Sequence, residues 1–292
     1  MPDARCPMPD ARCPMPDARC PMPDARCPMP MPNSRCPMPM PDAPCPMPHA
    51  PFPMPHARCP IPNSPFAMIN CQIPTGLIVS CQAPTDSPLH DPIVIAAMAR
   101  TAVNRGAAGV RIDTPAHIAA VRKQVSAPII GIWKQQLPGC EIYITPRFED
   151  ARAIAASGAD IIAIDATLRK RPAGGEDLKT LIAQIHSELG KLVMADVDTI
   201  EAAIAAAQAG ADTVATTLFG YTAQTENFSP PGFDLLAEMV EKLKVPVICE
   251  GGIAGPSMAK KALDLGAVAV VVGTDITGID IKVTAYNSVI RK

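Results

Sequence analysis

AAIAAAQAGADTVATT, Ala202–Thr217, holds three structural instructions in one breath. The alanine-rich start is a helix, Gly210 is its stop, and DTVATT is a short buried strand. The same phrase recurs as ARAIAASGAD (Ala151–Asp160) and KALDLGAVAV (Lys261–Val270), with Gly158 and Gly266 in the stop position. Helix, glycine, strand is the second half of a repeating βα unit.

Eight apolar runs carry the strand part. They are LIVSCQ from Leu77, AGVRID from Ala108, PIIGIWK from Pro128, DIIAID from Asp160, KLVMAD from Lys191, DTVATT from Asp212, PVICEG from Pro246 and AVVVG from Ala269. Between them lie stretches long enough for one helix each. Asp91–Arg105 shows a helical face at Ile95, Met98, Ala99 and Ala102, with Gly106 as its cap, and Thr114-Pro115 opens the next helix. The expected fold is α/β, a (β/α)8 TIM barrel.

In such a barrel the active site sits at the C-terminal ends of the strands. The residues expected there are Gln82, Arg111, Lys134, Asp165, Asp196, Thr216, Glu250 and Gly273. Lys134 follows the run Ile129–Trp133. A partly desolvated amine there can move a proton or form a Schiff base, whereas a surface lysine past a strand is the plain alternative. Glu250 precedes Gly251-Gly252, which let a substrate approach the backbone; its alternative is a structural ion pair with an internal Lys or Arg. Asp165 and Asp196 should point into the mouth, or else cap the following loops. Arg111 suits an anion or these carboxylates, and Gln82 a sugar or amide. DATLRKRP (Asp165–Pro172) puts three basic residues on one loop, a run that on its own reads as solvated. The glycine-rich loops EGGIAGP and VVGTDITG fit the place where such barrels hold phosphate, which makes Gly251, Gly252, Gly273 and Thr274 phosphate-site candidates.

The first 67 residues are different material. MPDARCP occurs four times in succession and degenerate copies follow, so this segment takes 22 of the 35 prolines and 7 of the 11 cysteines. Proline at that density forbids helix and sheet interior, and such low-complexity sequence is expected to be disordered. One cysteine per seven residues lacks the paired spacing of a zinc site. A polyproline-like linker is a second reading. A third comes from the genetic code, because the DNA heptamer ATGCCCG repeated in tandem encodes MPDARCP. Residues 1–67 are therefore read as a repeat tail and 68–292 as the barrel domain, with Met68 the expected start.

The net charge of −2 and 3% aromatic content give no basic stripe or stacking platform for nucleic acid. No apolar run has the roughly 18 residues of a membrane span, and no secretory signal is present. The four cysteines outside the tail, Cys71, Cys81, Cys140 and Cys249, fit a reducing cytoplasm.

Several of these phrases together resemble the N-acetylmannosamine-6-phosphate 2-epimerases. LIVSCQAP, PIIGIWK, EIYITP (Glu141–Pro146), IAIDATLRKRP, LVMADVDT, TTLFGYT (Thr216–Thr222) and PVICEGGI carry the likeness, which covers about residues 76 to 290 in order. The resemblance implies an isomerase of amino-sugar catabolism that inverts C2 of a phosphorylated acylamino sugar. It places the family's catalytic lysine on Lys134 and its glutamate on Glu250. Gln82, Arg111 and Asp196 fall on substrate-contacting positions, and Asp165 lies in a further family motif. It implies a small sugar-phosphate substrate, no metal and no organic cofactor, and a homodimer is the assembly expected. The chain departs from the pattern where Gly252 and Gly278 replace arginines and where Thr274 and Asp275 replace small residues. Those changes predict a weakened hold on phosphate. An altered substrate, Schiff-base aldolase chemistry and a non-catalytic barrel are the alternatives.

Overall fold

The computed structural model describes residues 73–290. The repeat tail and the expected start at Met68 lie outside the described residues. Eight parallel strands close on one another in sequence order, β1 to β8 and back to β1. They are β1 (Gly76–Cys81), β2 (Gly109–Asp113), β3 (Ile129–Ile132), β4 (Ile161–Asp165), β5 (Leu192–Asp196), β6 (Thr213–Ala215), β7 (Val247–Glu250) and β8 (Ala269–Val272). The expected (β/α)8 barrel is the observed fold.

The helices follow their strands in turn. They are α1 (Pro92–Asn104), α2 (Pro115–Arg122), α3 (Phe148–Ala156), α4 (Leu178–Gln184, continued by a π-helical turn at Ile185–Leu189), α5 (Ile200–Ala209), α6 (Phe233–Lys242) and α7 (Pro256–Asp264). After β8 come a single turn, α8 (Thr274–Thr277), and α9 (Ile279–Ile290). The local reasons are those in the sequence. Asp91 accepts from the amides of Ile93 and Val94, and Thr199 caps α5 through Ala202 N. Gly210 ends α5 at φ 107, in the left-handed region where a side chain is penalised.

Alternation along the strands sorts the barrel into two layers. Ile78, Ile130, Ile132, Ile161, Ala163, Met194, Ala215, Ile248, Ala269 and Val271 fill the interior. Their neighbours, among them Val79, Val110, Ile112, Ile129, Ile162, Val193, Val214, Cys249 and Val270, face the helices. Both layers are dry because both faces of a parallel sheet are covered. This parity decides which side chains reach the mouth. Counting on by twos gives Ser80 and Gln82, Arg111 and Asp113, Lys134, Asp165, Asp196, Thr217, Glu250 and Gly273. The expected strand ends hold with two corrections. β2 runs on to Asp113, so Arg111 lies within the strand and inside the barrel. Thr216 has outward parity, and Thr217 is the residue that faces in.

α9 departs from the pattern. It has no buried residue, and Ile281, Val283, Tyr286, Val289 and Ile290 stand exposed along it. A groove of about 510 Å³ lined by Leu77, Val79, Val94, Met98, Ile276 and Ile279 lies open at its start.

Ile130 is fully buried in the inner layer beneath the loop that carries Lys134. Truncation in Ile130→Ala should cost about 2–5 kcal/mol, read as a lower chemical-denaturation midpoint.

Candidate active site

Lys134 stands two residues past β3 on a braced turn. Its own pairing with Ile144 is antiparallel, Gln135 N donates to Tyr143 O at 2.9 Å, and Trp133 N donates to Thr145 Oγ1 at 3.1 Å. Thr145 holds φ 46, an uncommon conformation for a β-branched residue and one that clusters at functional sites. The Lys134 amide donates to Asp113 Oδ1 at 3.1 Å, and its Nζ donates to Gln82 Oε1 at 2.5 Å with Asp113 Oδ2 at 3.7 Å. The Gln82 amide is in turn anchored on Ser80 Oγ at 2.7 Å. The Lys134 side chain is 47% exposed, so it faces open space where the sequence suggested a desolvated amine.

Glu250 ends β7 on the other side of that space. Thr216 fixes its backbone, donating to Glu250 O at 2.9 Å and accepting from Glu250 N at 3.1 Å. The carboxylate accepts from Arg111 Nη1 at 2.6 Å and from Thr217 Oγ1 at 3.3 Å. Arg111, 1% exposed, also donates through Nη1 and Nη2 to both oxygens of buried Asp196, at 3.0 and 2.5 Å. Thr217 donates to Asp196 Oδ1 at 2.6 Å. One guanidinium and one hydroxyl thus hold two carboxylates side by side. Burial pushes the Glu250 carboxyl up from 4.5 to about 7; Arg111 opposes that rise and Asp196 adds to it.

These groups open into a cavity of about 750 Å³ at the strand C-termini. Gln82, Lys134, Thr217, Glu250, Gly251, Gly252, Gly273 and Thr274 all line it. Arg111 and Asp196 do not. They lie beneath Glu250 and support it. Asp165 is elsewhere: its oxygens accept from Thr167 N and Oγ1, Tyr143 N and Arg169 Nη2, all within 3.3 Å. Burial raises its pKa, and Arg169 and Thr167 pull it down. The loop-capping alternative therefore describes Asp165. Arg169 and Arg171 of the basic run are braces as well, donating to Glu141 O and Asp165 O. Among the described residues no cluster of His, Cys, Asp and Glu is placed to hold a metal ion.

A family model described as "Putative N-acetylmannosamine-6-phosphate epimerase" matches residues 95–292. The chain belongs to this epimerase family. A relative from Thermosynechococcus vestitus, named "Putative N-acetylmannosamine-6-phosphate 2-epimerase", is 64% identical over 220 residues, 75% of this chain and 95% of its own. One of the same name from Synechococcus elongatus is 60% identical over 213 residues, covering 72% and 91%. The solved structure of the N-acetylmannosamine-6-phosphate 2-epimerase from Clostridium perfringens superimposes with a TM-score of 0.72 at 41% identity, over 76% of this chain and 96% of that one.

The two glycines at which the resemblance expected arginines sit in tight backbone positions. A Cβ on Gly252 (φ 66) would fall 2.6 Å from Pro230 C, and one on Gly278 would fall 2.7 Å from Thr274 Cα. Neither backbone position accepts a side chain. Two site residues escaped the sequence reading. Asp113 was legible from parity, being two residues past Arg111 on the same face. Thr217 was obscured because the strand was ended on Thr216.

Removing Arg111 leaves two buried carboxylates facing each other without a cation. Arg111→Met should lose about 3–5 kcal/mol of stability near neutral pH. The loss should shrink as pH falls, since protonating Glu250 removes an orphan charge. In the parent protein the folded pKa of Glu250 is above its unfolded value. Its contribution to stability is therefore full below about pH 4.5 and lost as pH rises to about 7. Denaturant titrations of parent and Arg111→Met between pH 4 and 8 read both slopes.

Proposed function

We propose that this chain interconverts N-acetylmannosamine 6-phosphate and N-acetylglucosamine 6-phosphate by moving the proton at C2. The observation that carries this is the convergence of Lys134 Nζ and the Glu250 carboxyl on one open cavity at the strand ends. C2 lies next to the aldehyde of the open-chain sugar, so its C–H bond is acidic. Lys134 Nζ is the group that takes that proton, and the electron pair moves into the C1 carbonyl to give an enolate. Return of a proton to the opposite face gives the epimer. Glu250 keeps its own proton up to about pH 7 and so can give or take one at neutral pH. Gln82, bonded to Lys134 Nζ, holds the amine and offers its amide to the sugar. Gly251, Gly252, Gly273 and Thr274 form the floor on which the phosphate rests. The reading places the enzyme in the cytoplasm; among the described residues no helix is long and apolar enough to cross a membrane, and Cys81, Cys140 and Cys249 are free thiols.

Full-length protein given N-acetylmannosamine 6-phosphate in D2O should wash deuterium into C2 as the gluco epimer forms, followed by NMR. Lys134→Ala should slow this at least about 100-fold. Folded protein without exchange, or a borohydride-trapped adduct on Lys134, would overturn the reading. In Glu250→Gln the limb of kcat/KM near pH 7 should vanish.

The assembly we infer is a homodimer. It is supported by the exposed apolar side chains of α9 and the open apolar groove beside its start. Light scattering should give twice the 30.7 kDa chain mass, and Val283→Asp with Val289→Asp should halve it. A monomeric parent protein would count against the dimer.

A further inference from the structure

Two lysines line the cavity at the barrel mouth, Lys134 and Lys282. Lys134 follows β3 and is engaged by Gln82 and Asp113. Lys282 belongs to the first turn of α9, after β8, with β1 and β2 between the two lysines around the barrel. At the Lys282 end the cavity wall also carries Asp275 and Asp280. Among the described residues, a phosphate dianion arriving there would meet two carboxylates and no cation other than Lys282.

The local geometry gives Lys282 the freedom to act. The Lys282 amide donates to Gly278 O at 2.9 Å, which puts it one helical turn beyond Gly278. Side chains on a helix lean toward its N-terminus, so Lys282 reaches back over Gly278, where no Cβ fits. Gly252, across the same cavity, is equally bare. That end of the cavity is a backbone floor with one long cationic arm above it. The Nζ rests 2.5 Å from Asp275 Oδ1, with the two side chains 43% and 25% exposed. An ion pair this open to solvent is held weakly, and its ammonium can change partners.

We propose that Lys282 is the residue by which this chain recognises a phosphate monoester, exchanging Asp275 for the dianion when substrate enters. The proposal rests on the epimerase reading for its substrate. It makes Asp275 a resting partner that competes with phosphate, in place of the unpaired repulsive charge that the sequence suggested. Lys282 touches the phosphate and takes no part in the proton transfer at C2.

The test uses the full chain with inorganic phosphate as the probe, by calorimetric titration, and N-acetylmannosamine with and without its 6-phosphate as substrates. Lys282→Met should weaken phosphate binding and raise KM for the phosphorylated sugar by about tenfold or more. The change should fall on KM rather than kcat, and the preference for the phosphorylated over the plain sugar should drop by the same factor. Lys282→Arg should recover most of the loss, and Asp275→Asn should lower KM. Unchanged phosphate affinity and KM in Lys282→Met, with the thermal midpoint intact, would overturn the proposal. A protein whose phosphate binding depends on Lys282 but which exchanges no C2 proton would sink the epimerase reading and leave this one standing. Should Lys282→Met fail to fold, a KM for Asp275→Asn equal to or above that of the parent would overturn it as well.

Discussion

The whole site hangs on Arg111, a guanidinium buried inside a barrel otherwise filled with isoleucine, valine and alanine. A charge there is tolerable only because Asp196 and Glu250 meet it directly. Burial works against its positive charge, and the two carboxylates more than offset that, raising its pKa. The clamp joins β2, β5 and β7 across the interior, so the Glu250 carboxylate is fixed by the packing of the barrel itself. The same clamp sets the chemistry. Burial of the Glu250 carboxyl, with Asp196 beside it, outweighs the pull of Arg111, and Glu250 keeps its proton toward neutrality.

Two aspartates show how environment, and not residue type, assigns a role. Asp165 and Asp196 end adjacent strands in register and have the same inward parity. Asp196 looks across the barrel at Arg111 and becomes part of the clamp. Asp165 is met from its own side by Thr167 and Arg169 and spends its oxygens on the loop after β4. The loop sequence DATLRKRP contains that answer, since Thr167 and Arg169 are two and four residues on. Local hydrogen bonds of that range compete with any longer-range function.

The fold was legible because its signal is repeated. Eight apolar runs and three helix-glycine-strand phrases each say the same thing, and an error in one does not alter the total. The site was legible where chemistry stands at a strand end, as with Lys134 and Glu250. It blurred where the end was misjudged by a residue or two, as with Thr216 for Thr217 and Arg111 for Asp113, because one step along a strand reverses the face. Lys282 was beyond reach. It gains meaning only where α9 starts, just past Gly278, and its first turn sends the side chain to Asp275, a relation set by a helix start and not by any motif.

Most of the departures that the family resemblance pointed to lie on one side of the mouth. Gly252, Thr274, Asp275 and Gly278 follow β7 and β8, while Asp113 ends β2 and Gln82 and Lys134 lie one and two residues past β1 and β3. Glu250 is the single group at the junction, and its position is set from inside by Arg111 and Thr217, not by the loop that follows it. Gln82, Asp113, Lys134 and Glu250 are therefore held independently of the loops that follow β7 and β8. A backbone too tight at Gly252 and Gly278 to carry side chains can still hold a phosphate, provided that a cation reaches that floor from another element. In the proposal above that cation is Lys282, from the first turn of α9, and the cost is a carboxylate, Asp275, that must be displaced each time the site is filled.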